Sequence, residues 1–264
     1  QMIAHLLKDR DGKTFYDDEP SKINNVDGYN EFLNYINQLS QEYIINVHTL
    51  NHDLLFESFN KVSCINGRIS DGFDEYGSEY YGKLMHHERT YHCRLERYTS
   101  RYNTPVRLFK LHGSIDYVPF YKGVENGFMK PDKYVKIKRG MGVCDIMKSR
   151  KSKIGYDKSP FEYHPDFLTG TTSKIQRYNE PLFFKKLFKR FKKNLEVAEK
   201  LIIIGYGCKD VRINDIIKEC FDYQHKPSFI VDKYAGDMVA QFGKEINAVI
   251  YKNGIDSIKS GLFM

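Results

Sequence analysis

The chain has 264 residues with 41 Lys+Arg against 34 Asp+Glu, a formal charge of +7 and a sequence pI of about 8.9. Hydrophobic residues make up 41% and aromatics 14%, carried by 20 Tyr and 18 Phe with no Trp. This excludes a disordered chain, and no apolar run nears the roughly 18 residues that would span a membrane. The opening QMIAHLLKDRDGK turns polar too early for a secretory signal, which gives a cytoplasmic expectation. The five cysteines, Cys64, Cys93, Cys144, Cys208 and Cys220, include no C-x-x-C pair. Neither a structural zinc site nor a redox pair is expected, and the default reading is a reduced protein without a metal.

In chain order, residues 27–39 place Tyr29, Phe32, Leu33 and Ile36 at three- and four-residue steps and predict an amphipathic helix. A short β-rich run follows at Tyr43–Val47 and breaks into the polar loop His48–Asp53. Asp53 is placed to cap a second helix starting at Leu54. Residues 60–105 are polar and weakly periodic and read as an insertion. Val106–Leu111 alternates as a strand should and stops at His112-Gly113-Ser114. A second insertion covers about 118–165, and both are expected to build a smaller helical or irregular subdomain. Within it Lys130, Lys133, Lys136, Lys138, Arg139, Lys148, Arg150, Lys151 and Lys153 form a basic stretch.

Residues 179–200 predict a helix with Phe184, Leu187, Phe188, Phe191 and Leu195 on one face and a solvated basic face around Lys185–Lys193. The last third alternates helix and strand: LIII before Gly205, a helix over 211–223, a strand in PSFIVD, a short helix, and a strand in NAVIYK. Short unbroken apolar runs suit strands buried on both faces of a parallel sheet. The expected class is therefore α/β, a Rossmann-like parallel sheet flanked by helices. Ligands of such sheets sit at the carboxyl ends of the strands.

Three motifs follow strand ends: HTLNHD (His48–Asp53), KLHGS (Lys110–Ser114) and IIIGYGCKD (Ile202–Asp210). Alone, each has a plain structural reading as a turn or a helix cap. Together and in this order they resemble the sirtuin (SIR2-like) family. The likeness is nearest to its bacterial branch, whose late Gly-Tyr-x-x-x-Asp…Asn corresponds to Gly205, Tyr206, Asp210 and Asn214. The resemblance covers about 43–252 apart from the two insertions, within one domain taken to span 1–264.

The resemblance implies NAD⁺ as substrate, with Asn51 positioning the attacking water and His112 acting as general base at the ribose. It places Asp53 on the nicotinamide carboxamide and Thr49, Gly113 and Ser114 along the same pocket. Gly205, Tyr206 and Gly207 would approach the adenosine half, with Asp232 at the adenine ribose. His48 and His52 flank Asn51, and a structural or surface place suits them as well as a site does.

The residue types suit the reaction. Nicotinamide in NAD⁺ is already a cationic leaving group, so its departure needs a tolerated oxocarbenium-like centre and a positioned nucleophile. An amide orients water without adding charge, and an imidazole with an ordinary pKa of about 6.5 accepts its proton.

Departures from the family sharpen the expectation. The paired-cysteine zinc module of sirtuin deacylases is absent, and the acyl-lysine segment is replaced by Leu168-Thr169-Gly170-Thr171-Thr172. The implied activity is a NAD⁺ glycohydrolase of bacterial anti-phage defence, held inactive until triggered through homo-oligomerisation, a sensor domain or a partner. The alternatives are a zinc-free NAD-dependent deacylase and an idle nucleotide- or nucleic-acid-binding module. The family's opening strand and Gly-Ala-Gly-x-Ser loop are missing before Thr49: either they lie upstream of Gln1 or half of the phosphate site has been lost. The basic stretch 130–153 is the candidate contact for a partner or nucleic acid; a membrane contact is not expected.

Overall fold

The computed structural model describes residues 27–86, 89–125, 128–138, 146–148, 150–152, 155–156, 168, 182–258 and 261–263. In chain order the helices and strands begin with α1 (Asn30–Leu39), β1 (Ile45–Thr49) and the one-turn α2 (Leu55–Ser58). Next come β2 (Ile69–Ser70), β3 (Gly72–Asp74), β4 (Tyr80–His86), β5 (Arg89–Arg94), β6 (Arg97–Arg101) and β7 (Val106–Lys110). The long pair β8 (Tyr117–Glu125) and β9 (Phe128–Lys136) leads to the short β10 (Ile146–Lys148), β11 (Arg150–Ser152) and β12 (Gly155–Tyr156). The chain closes with α3 (Leu182–Val197), β13 (Leu201–Ile204), α4 (Val211–Cys220), β14 (Ser228–Val231), α5 (Asp237–Glu245) and β15 (Val249–Tyr251). These residues gather in two compact units.

The first unit takes in Asn46–Val62 and Asn66–Leu187. Its central three-stranded sheet has the order β1-β7-β2, with β2 and β7 parallel. From Leu108 to Leu111 every residue is buried, so the end of β7 is covered on both faces and does not alternate. That reach of covered backbone includes Lys110, 2% exposed.

The two insertions are not helical or irregular; apart from β2, which joins the central sheet, their described strands form antiparallel sheets. β3, β6, β9 and β8 make a four-stranded sheet, β10, β4 and β5 a three-stranded one, and β11 pairs with β12. The physical reason is side-chain type. Tyr, Thr, Val and Phe favour a pleated, half-buried surface, and weak helical periodicity is what a strand of that composition shows. The signal was present in Asn126-Gly127 between two β-rich runs, the dipeptide most favoured in two-residue hairpins. Tyr80, Leu95, Val118, Phe120, Val135 and Ile137 form the core of these sheets. Beside it the abundant Tyr and Phe stack: Tyr134 on Phe183 at 4.2 Å and Phe73 against Tyr117 at 4.6 Å between ring centres.

The second unit takes in Asn24–Ile45, Ser63–Ile65 and Phe188–Met264. Here β13, β14 and β15 lie in sequence order, all parallel, with Leu201 opposite Ser228 and Phe229 opposite Val249. This is the arrangement expected from the short apolar runs, since crossover helices cover such a sheet. β14 is buried along its whole length. α4 turns Ile213, Ile216 and Ile217 inward, and α5 turns Val239 and Phe242. On α3 the expected division holds. Phe184, Leu187, Phe188, Phe191 and Leu195 are buried, while Lys185, Lys186, Lys189 and Lys193 are exposed. The chain is thus mixed α/β, with parallel sheets flanked by helices.

Candidate functional site

The expected site residues fall into two sets, one in each unit. In the first unit β1 and β7 are neighbours, so the loops after them emerge side by side. The backbone ties them at two levels. Leu111 N–H donates to Thr49 O at 3.0 Å, and Ile115 N–H donates to His52 O at 3.1 Å. The structure thereby brings Thr49, Asn51, His52 and Asp53 together with His112, Gly113 and Ser114. The rings of His52 and His112 lie 6.2 Å apart.

Each loop is shaped by its own polar groups. Thr49 Oγ1 accepts the N–H of Asn51 at 3.1 Å, and Asp53 Oδ1 accepts that of Leu55 at 3.0 Å, which starts α2. Asn51 is exposed, whereas His112 is 4% exposed and Ser114 fully buried. Ser114 Oγ donates to His52 O at 3.4 Å, and Leu168 N–H donates to His112 O at 2.7 Å. Gly113 sits at φ +82°, a left-handed backbone that an L side chain resists. Gly113→Ala is therefore expected to lower stability by about 1–2 kcal/mol, read as a shift in denaturant midpoint; an unchanged midpoint would contradict that strain.

His48 has a structural place. Its ring stacks on Phe109 at 4.7 Å, its Nδ1 is shut off from solvent, and burial pushes the imidazole down to about 3. The unfolded chain takes up the proton near pH 6.5 while the folded one stays neutral to about 3. The stability this confers is fully present above about pH 6.5 and is lost as pH falls toward 3, by up to about 1.4 kcal/mol per unit. His48→Phe should flatten that slope, as denaturant titrations at about pH 4.5 and 7.5 would report. Equal slopes in the two proteins would refute it.

Sequence reasoning missed the charged groups beneath these loops. Buried Lys110 donates to the carbonyl of Asp53 and pairs with Glu57 at 2.9 Å. Burial holds the Glu57 carboxyl above its ordinary range, with Lys110 pulling the other way. Close by in the same network Lys136 pairs with Asp71 and stands 3.9 Å from Asp116. Although burial alone would lower it, the Lys136 ammonium is held above its ordinary range, chiefly by Asp71 and Asp116. Lys136 and Lys138 were expected to face a partner. Instead Lys136 is inside this network and Lys138 pairs with Glu75. A lysine in a run of charge carries no mark of which carboxylate it will meet. Arg139 and Lys153 lie outside the described residues, as do Thr169–Thr172 of the acyl-lysine comparison.

In the second unit Gly205 follows β13 and Asp232 follows its parallel neighbour β14, so both stand at the carboxyl edge of that sheet. Gly205 takes φ +61° and donates its N–H to Val231 O at 2.9 Å. The following loop is clamped: Tyr206 Oη stands 3.0 Å from Asp210 O and 2.9 Å from Asn214 Oδ1, which share its one proton, and Asn214 Nδ2 donates to Cys208 O at 2.8 Å. Asp210 caps α4 through Ile213 N–H. Tyr206, Asp210 and Asn214 therefore build the loop. Asp232 Oδ1 likewise accepts the N–H groups of Tyr234 and Ala235 at 3.0 and 2.7 Å. Burial, with Asp232 adding, pushes the Cys208 thiol up to about 11, which leaves it protonated and a poor nucleophile near neutrality.

No family model and no curated protein matches this chain. Among the described residues no group of three or more His, Cys, Asp and Glu could hold a metal ion. No described helix is long and apolar enough to cross a membrane.

Proposed function

We propose that this chain is a SIR2-like NAD⁺ glycohydrolase that releases nicotinamide and ADP-ribose. The observation that carries the reading is the placing of an exposed Asn51 and a buried His112 on two loops from adjacent strands, laced together by the Thr49–Leu111 and His52–Ile115 hydrogen bonds. The glycosidic C1′–N bond breaks with its electron pair leaving on the pyridine nitrogen, which turns the cationic ring into neutral nicotinamide. Asn51 orients a water toward C1′ through its amide, and His112 takes the proton that this water gives up. Asp53 Oδ1 is already held by Leu55, so contact with the nicotinamide carboxamide falls to Oδ2.

Within the second unit, Gly205 and Gly207 leave open space after β13: adding a Cβ at either meets nothing within 4 Å. An enzyme that consumes NAD⁺ must be restrained, which fits an anti-phage effector released by assembly or by a sensor partner. Incubation of the full chain with NAD⁺, with nicotinamide and ADP-ribose followed by chromatography, tests the reading. Binding of NAD⁺ without loss, in every assembly state obtained, would favour an idle nucleotide-binding module instead.

A further inference from the structure

Lys110 stands two residues before His112, in a stretch where Leu108, Phe109 and Leu111 are also buried. Those neighbours along the chain are all apolar. A buried ion pair rarely stabilises more than well-packed hydrophobic groups would, so Lys110 and Glu57 are a costly way to fill this space. Two partners of the ammonium lie on the segment that follows β1: the carbonyl of Asp53, at the end of the Asn51 loop, and the carboxylate of Glu57 on α2. Lys110 is thus a side-chain strut from the His112 strand to the Asn51 loop, beside the two backbone bonds at Thr49 and His52. The backbone bonds fix the start and middle of that loop, and Lys110 fixes its end.

We propose that Lys110 is a positioning residue, its buried ammonium setting the Asn51–Asp53 loop against His112; the proposal rests on the hydrolase reading above. It touches neither the reacting bond nor the water. Its effect is on the geometry in which Asn51 presents water to C1′ while His112 receives the proton, and misplacement by about 1 Å costs roughly a hundredfold in rate.

The test uses the full chain as Lys110→Met and as the double variant Lys110→Met with Glu57→Met. The single variant strands the Glu57 carboxylate in the interior and is expected to be unstable for that reason alone. The double variant removes both charges and keeps the volume, so its thermal midpoint should return to that of the wild type. Its kcat for nicotinamide release should stay down about a hundredfold with KM little changed. Amide exchange at Leu55 and Ile115, whose N–H groups hold the loop, should be at least about tenfold faster than in the wild type, with β13–β15 unaltered.

Restored turnover in the stable double variant, or unchanged exchange at both amides, would overturn the proposal. A double variant that no longer folds would overturn it too, because Lys110 would then hold the fold and not the loop. If the wild type releases no nicotinamide, the hydrolase reading fails on that result. The exchange rates then decide by themselves whether Lys110 anchors the loop.

Discussion

Alanine at His112 is expected to slow nicotinamide release by about 10²–10⁴-fold, the usual loss when a general base is removed. His112 is 4% exposed and its ring approaches His52 to 6.2 Å, so part of any loss could come from a cavity. Asn51→Ala removes that ambiguity. Asn51 is exposed, and its backbone N–H, not its side chain, bonds Thr49, so truncation leaves the loop's own hydrogen bond in place. It should cost about 10²–10³ in kcat, the scale for losing one orienting polar group, at an unchanged thermal midpoint. A pair of variants that both retain wild-type turnover would rule out the assigned chemistry.

The largest expected effect on stability belongs to Lys136→Met. Lys136 joins Asp71 and Asp116, with side-chain exposures of 15%, 14% and 5%, and its ring contact is Phe73 at 5.6 Å. One oxygen of Asp116 is buried without a hydrogen-bond partner, so the neighbouring ammonium is what offsets that carboxylate's burial. Removing one side of a buried ionic group costs about 3–5 kcal/mol, much more than keeping the group contributes. The denaturant midpoint of Lys136→Met should fall accordingly at neutral pH. A deficit under about 1 kcal/mol, the size of an exposed surface pair, would show that the network is solvated.

These two cases mark where the sequence was legible. The amphipathic stripes of α1, α3 and α4 and the apolar runs of β13 and β14 placed their elements to within a few residues. Periodicity is a local property that reports which face is covered. The turns were readable in part: Gly205 adopts positive φ in the glycine turn after β13, but Leu54 and not Asp53 holds the cap position of α2, where Asp53 Oδ1 only accepts the Leu55 N–H. The antiparallel sheets of the insertions were not read. Their alternation is blurred by tyrosines, which suit either face, and pairing joins segments far apart, such as Phe73 with Tyr98.

By itself the sequence determined a mixed α/β chain with parallel strands, its helix stripes and turns, and the order of three polar motifs at strand ends. Only the tertiary structure decided which strand ends are neighbours, and hence that Asn51 and His112 stand on adjoining loops. It also decided that Lys110 and Lys136 are interior ions while the lysines of α3 are surface ones. Composition counts all lysines alike. Whether one is a strut or a solvated charge depends on partners brought in from far along the chain, 57 residues for Lys110 and Asp53 and 65 for Lys136 and Asp71, a distance that no local pattern spans.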